Sequence, residues 1–435
     1  MTDIHTHPPR LDDQYEHTPV PPEHRKSTLA IGAAWAGMPM VLTATVIGGQ
    51  LAYFLGFAQG LLALVIGAAV LAVYVGILSY TAGHTGRNFG QFSRSVFGRV
   101  GALVPALLLS TVIVGWYAFQ TGLTGSLLSA ITGWNAGILA IAAGIVFIFI
   151  TFVGIRAISW IGYISAPLFI VFGVAALVIG GTAQGWPDIA AYAGASRTAA
   201  AWPLGVGVTV VIASLVDAGT MTADFTRFSR TGREAVAATL AAFPVGQFVS
   251  AFIGVLVVSA GLAVDPAVNG GMFIGVLLGS PVSQVVVAVF VVLNLAAVCA
   301  HCLYNGAMGW SHATGARFRT TTVVLGLIGL FAAGLGVWSL FSDWLTILGV
   351  IVPPIGVVII VSVLVRGYGF LAADAARVRV GAFVAWAIGS AAALLTHLFA
   401  PALSDAVVGI VVAAVASLIA ERLASPARSA VRTEA

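Results

Sequence analysis

Residues 204–230 read LGVGVTVVIASLVDAGTMTADFTRFSR. The stretch starts apolar, runs long enough to cross a bilayer, which takes about 20 residues, and ends on Arg227 and Arg230. Within it lie Ser214, Asp217, Gly219, Thr220, Thr222 and Asp224. A carboxylate at membrane depth is costly and marks a functional position by default. Asp217-Ala218-Gly219-Thr220 is therefore read as an interruption in a membrane span, with Gly219 at the break. The basic residues that follow belong to the side that keeps its positive charge, because Lys and Arg resist translocation.

Working outward, the rest of the chain obeys the same rule. It is 60% hydrophobic and 8% charged, with a mean hydropathy of +1.04. A soluble domain has roughly a quarter charged residues. Apolar runs near 28–55, 58–82, 102–129, 135–154, 158–181, 204–226, 236–263, 283–309, 321–340, 344–364, 380–399 and 404–422 predict about twelve spans. With the N-terminus placed in the cytoplasm, 18 of the 19 Lys and Arg fall inside and only Arg197 falls outside. A wrong span count would scramble that alternation. The reading is an all-α, multi-pass protein of the cytoplasmic membrane with both termini cytoplasmic, its partners lipid and a small molecule.

Residues 28–422 form the transmembrane domain, between a disordered tail at 1–27 and a second cytoplasmic tail at 423–435. The first tail is polar and proline-rich, without the basic-then-apolar order of a signal peptide. His5 and His7 give only a weak metal motif. The basic residues are scattered over short loops, which argues against nucleic acid despite a pI near 9.3. Cys299 and Cys302 sit inside an apolar run and read as inert thiols.

The first span contains Gly37-Met38-Pro39. Proline has no N–H and its ring crowds the preceding turn, so this span is read as broken too. Paired broken helices in corresponding places of two halves point to a midplane binding site. Other spans carry polar residues that need a purpose. Trp116 and Gln120 are four apart and share a helix face. An indole offers a flat stacking surface, and an amide offers both a donor and an acceptor, which suits a planar heterocycle. Ser214 and Asp217 lie one turn apart, and Asp217 would bind substrate, a cation or a proton. Asn294 is a hydrogen-bonding ligand candidate, and His301 on the same face titrates near physiological pH and is a candidate for coupling. Asp224 and Arg227 read as an inside gate or structural ion pair. No hydrolase, metalloprotease or phosphate-loop motif is present, so an enzyme is not expected, nor a cofactor or metal.

These residues carry a resemblance. Asp217–Arg230 resembles the S-A-G-T-x-T-A-D-F-x-R-F stretch of cytosine permeases, and further pieces lie at Trp344-Leu-Thr, Pro353-Pro354-Ile-Gly356, Val114-Gly115-Trp116 and Phe92–Gly98. The chain is similar, from about Arg25 to about 422, to the nucleobase–cation symporter family 1 and its cytosine and purine/cytosine permease group. The resemblance implies a leucine-transporter-like five-plus-five inverted repeat plus two extra helices. It implies cation-coupled alternating access importing a nucleobase such as cytosine or a purine, by a monomer. The alternatives are another heterocycle (hydroxymethylpyrimidine, hydantoin or allantoin) or an intramembrane enzyme. By the same resemblance, Trp116 stacks on the ring, Gln120, Ser214 and Asn294 fall at binding positions, and Gly37 and Met38 fall at the first-helix break. The chain departs in having Leu215 for an aromatic and Asp217 for a serine. It also has Ala297 and Val298 where sodium-coupled members have two hydroxyls. That departure favours a proton over sodium as the coupling cation, carried by Asp217 and perhaps His301.

Overall fold

The computed structural model describes Tyr15 and residues 17–198, 200–335, 337–372 and 376–424. The tail residues 1–14 with His5 and His7, and residues 425–435, lie outside these. Among the described residues the fold is entirely helical. The first predicted span is two helices, α1 (Thr28–Ala36) and α2 (Leu42–Leu55), separated by residues 37–41. Ser27 caps α1 by accepting from the Ala30 N–H. A turn at Gly56, whose φ of +76° favours glycine, leads into α3 (Phe57–Thr85). A short amphipathic helix, α4 (Phe89–Phe97), lies in the first basic loop, closed by a capping box between Asn88 and Gln91.

The next spans are α5 (Leu103–Thr132), α6 (Ala136–Val153) and α7 (Ile155–Gln184). The sixth is fragmented into α8 (Leu204–Ala213), α9 (Val216–Thr220) and α10 (Ala223–Thr226). The seventh is α11 (Gly232–Leu240) and α12 (Gln247–Ser259), joined through a kink at Phe243. A short helix, α13 (Pro266–Asn269), precedes α14 (Pro281–Thr314), α15 (Phe318–Gly334), α16 (Phe341–Arg366), α17 (Val380–Phe399) and α18 (Asp405–Ala424). Nine helices among the described residues are long and apolar enough to cross a membrane, and α2, α8 and α15 are shorter apolar helices at predicted spans. The large apolar side chains left exposed, such as Phe149, Val285, Phe331 and Leu364, lie on membrane spans, where lipid rather than water is the solvent.

Broken helices must still satisfy their freed backbone groups in a lipid environment. At the first break the side chain of Asn294, from α14, does this. Its Oδ1 accepts from Leu42 N at 3.0 Å, and its Nδ2 donates to Met40 O at 2.8 Å and to Ser165 Oγ at 3.3 Å. Ser250 Oγ donates to Pro39 O at 2.8 Å. The two halves approach through small residues, as membrane helices do. A Cβ on Gly48 would sit 1.8 Å from Ala251 O, and one on Gly254 would sit 2.2 Å from Thr45 O. Gly48→Val or Gly254→Val should therefore separate α2 from α12. A fall in melting temperature in detergent, with loss of a monodisperse elution peak, is the expected result.

Two expectations change. The sixth span is interrupted twice, at Ser214–Leu215, where Leu215 has φ −140° and ψ 1°, and at Met221–Thr222, between α9 and α10. Gly219 is inside α9 rather than at the break, packed so closely that a Cβ would meet Val75 Cγ2 at 2.7 Å. At the first of these interruptions Ser214 turns its hydroxyl back onto Val211 O at 2.8 Å. The N-terminal segment is also more ordered than its composition suggests. Tyr15 and Val20 are buried, Val20 N donates to Gly86 O at 2.8 Å, and Lys26 N donates to Phe228 O at 2.6 Å.

Candidate functional site

The two breaks face a common cavity of about 40 Å³. The first break contributes Met38 and Pro39, the start of α2 contributes Thr43, and the second break contributes Ser214 and Leu215. Trp116 and Gln120 reach it from α5, Gln247 from α12, and Val298 and Cys302 from α14. The volume holds no more than a few waters, so a ring enters only as side chains such as Met38 and Leu215 move aside.

The polar groups are few and oriented. Thr43 Oγ1 donates to Gln120 Oε1 at 2.5 Å. That bond engages the amide oxygen, so Gln120 offers its NH₂ as a donor. Trp116 is 5% exposed, in an edge contact with Phe119, which meets Trp344 in the same way. The Trp344 ring fills the space beside Gly115, where a Cβ would come within 2.6 Å of it. The sequence expectation for Trp116, Gln120, Ser214 and Leu215 thus places four residues on one cavity.

The other expected residues lie around it. Asp217, in α9, is 1% exposed and is not among the cavity-lining residues. Its Oδ1 accepts from Ala218 N at 2.8 Å, and its carboxylate has the Trp116 side chain as a polar neighbour. Oδ2 is buried without a close hydrogen-bond partner among the described residues. Asn294, expected as a binding residue, is not among the cavity-lining residues: its amide is bonded to the Met40–Leu42 break and to Ser165, and it holds that break together. His301 is likewise away from the cavity. Its ring stacks on Trp35 at 5.4 Å and on Phe225 at 4.4 Å, and Nδ1 meets Ala297 O at 3.1 Å.

Asp224 and Arg227 are both buried. Asp224 Oδ1 accepts from Phe89 N at 2.9 Å, holding the start of α4. Arg227 acts on the Asp224 carboxylate electrostatically, and its Nη1 donates to Tyr15 O at 2.8 Å. The pair fastens α10 to α4 and to the N-terminal segment. Of the two positions where hydroxyls would ligate sodium, Ala297 packs toward the first break, with a Gly37 Cβ placed 3.5 Å from its own, and Val298 lines the cavity. No group of three or more His, Cys, Asp or Glu that would hold a metal occurs among the described residues.

Sequence reasoning missed Thr43, Gln247 and the exposure of Cys302 to the cavity. Gln247 had a signal, since it is an amide in an otherwise apolar run. Thr43 had none beyond its place just after the break.

Residues 19–421 match the family described as permeases for cytosine/purines, uracil, thiamine and allantoin. The chain belongs to this permease family. It is 28% identical over 360 residues to the cytosine permease of Escherichia coli strain K12, covering 82% of each chain, and equally to that of strain O157:H7. Among solved structures it is similar to Mhp1, a nucleobase-cation-symport-1 family transporter in a closed conformation with bromovinylhydantoin bound. That match has a TM-score of 0.80 and 18% identity, covering 96% of this chain and 97% of that one. MhsT in complex with L-phenylalanine matches with a TM-score of 0.56 and 14% identity, over 90% and 96% of the two chains. These likenesses carry the fold. The permease is thus a multi-pass membrane transporter and not an enzyme.

Proposed function

We propose that this permease imports a nucleobase, such as cytosine or a purine, across the cytoplasmic membrane, with both termini in the cytoplasm, by cation-coupled alternating access as a monomer. The observation that carries the reading is the Trp116 ring on one cavity with a Gln120 amide bonded to Thr43, at the meeting point of two broken spans. Stacking supplies affinity for any flat ring, and the amide selects an edge with an acceptor. The curated relatives named cytosine permease support the same substrate class. Rocking of one half against the other around this fixed site is the general mechanism for paired broken helices. Competition for uptake of radiolabelled cytosine by adenine, hypoxanthine, uracil, hydantoin and hydroxymethylpyrimidine tests it: displacement by nucleobases supports the reading. Displacement by hydantoin or hydroxymethylpyrimidine alone would favour the second reading, a different small heterocycle, which Leu215 in place of a flanking aromatic makes specific.

The coupling cation in this proposal is the proton. Ala297 and Val298 supply no side-chain oxygen at the first break, whereas Asp217 has an oxygen with no close partner and a place beside the Trp116 ring. A proton can occupy that oxygen. Asp217→Asn should abolish accumulation driven by an imposed pH gradient while leaving exchange of labelled for unlabelled substrate measurable. Equal loss of both activities would make Asp217 a binding residue only.

A further inference from the structure

Gln247 has an amide whose two ends are in different circumstances. It is 3% exposed and lines the cavity from α12. Its Nε2 donates to Val211 O at 2.9 Å. Val211 O also accepts from Ser214 Oγ at 2.8 Å, so the second break is where this carbonyl collects its donors. The opposite amide orientation would set Oε1 against the carbonyl oxygen, which offers no proton. The orientation is therefore fixed by chemistry, and Oε1 is left buried without a hydrogen-bond partner among the described residues. A buried polar atom without a partner is costly, and native proteins keep few of them. This one adjoins a cavity.

We infer that Gln247 is a specificity-determining residue whose Oε1 accepts a hydrogen bond from a ring N–H or exocyclic amine of the substrate. This rests on the nucleobase reading above and deepens it. The cavity then offers a donor from α5, at Gln120, and an acceptor from α12, at Gln247, on opposite elements. A ligand that satisfies both carries an acceptor and an N–H on different parts of one flat ring. A ring lacking the N–H leaves Oε1 buried and unpaired, and a site of that kind discriminates strongly against such an analogue. The same amide also ties α12 to the second break, so ligand contact and the position of the broken helix are read by one side chain.

The test compares cytosine with 2-pyrimidinone, which lacks the amine, and with 1-methylcytosine, which lacks the ring N–H, as inhibitors of labelled cytosine uptake. In the wild-type permease, the analogue missing the N–H that Gln247 reads should bind about tenfold more weakly or worse. In Gln247→Leu that penalty should shrink to about threefold or less, while the penalty for the other analogue stays as it was. Gln247→Met, of similar length and without an amide, should show the same loss of discrimination, which keeps the test open should the Leu variant fail to fold. Unchanged penalties for both analogues in whichever of these variants folds normally would overturn the assignment. A wild-type chain that binds none of these rings would instead overturn the nucleobase reading itself.

Discussion

Trp116→Ala should abolish measurable uptake at low substrate concentration while the protein still inserts and elutes as the wild type does. The indole lines the cavity, and in the proposed function it is the surface on which the ring stacks. Stacking of a base on an aromatic side chain is worth about 1–3 kcal/mol, which corresponds to roughly 10–100-fold in apparent affinity at 1.4 kcal/mol per tenfold. Trp116→Phe keeps a ring and should recover most of the loss. Both variants remove the indole N–H that neighbours Asp217, so a change in pH dependence shared by the two relative to the wild type reports on that carboxylate. Uptake by Trp116→Ala close to wild type would defeat the site assignment.

Asn294→Leu is expected to fail in a different way. The side chain closes the first break through bonds to Met40 O, Leu42 N and Ser165 Oγ. Leucine fills a similar volume and leaves those backbone groups buried and unpaired. Each unpaired buried group costs about 1–3 kcal/mol, so the loss is about 2–6 kcal/mol for the Met40 carbonyl and the Leu42 N–H together. A large drop in melting temperature in detergent is expected, together with loss of transport for every substrate alike. Preserved stability with a shift in substrate preference would mean that Asn294 faces the ligand after all.

The contrast between these two residues shows what the sequence could and could not convey. Trp116 and Gln120 were legible because helical spacing alone puts them on one face, and a mid-span indole has few purposes. The multi-pass helical architecture was legible because apolar runs long enough to cross a bilayer recur along the chain. The first break was legible in Gly37-Met38-Pro39, where proline lacks an N–H and crowds the preceding turn and glycine lets the chain unwind. The second was legible in part: Val216–Thr220 form one short helix between two interruptions, at Ser214–Leu215 and Met221–Thr222, and Gly219 itself lies inside that helix. Asn294 was recognised as polar and important, but nothing in a sequence says whether an amide turns toward a ligand or toward the carbonyls of a neighbouring broken helix. His301 is a similar case, since only the fold shows it packed against Trp35 and Phe225. The ordered N-terminal segment was hidden because its anchors, the Arg227 bond to Tyr15 O and the Val20 bond to Gly86 O, use backbone atoms that composition does not reveal.

The most direct test is accumulation of radiolabelled cytosine in proteoliposomes holding the purified permease, with pH and sodium gradients imposed separately. The account predicts accumulation above equilibrium driven by the pH gradient without sodium, and its loss in Asp217→Asn. Accumulation driven by sodium alone would contradict the coupling through Asp217. Flux that never exceeds equilibrium under either gradient would contradict the claim that this chain is a cation-coupled transporter of that base.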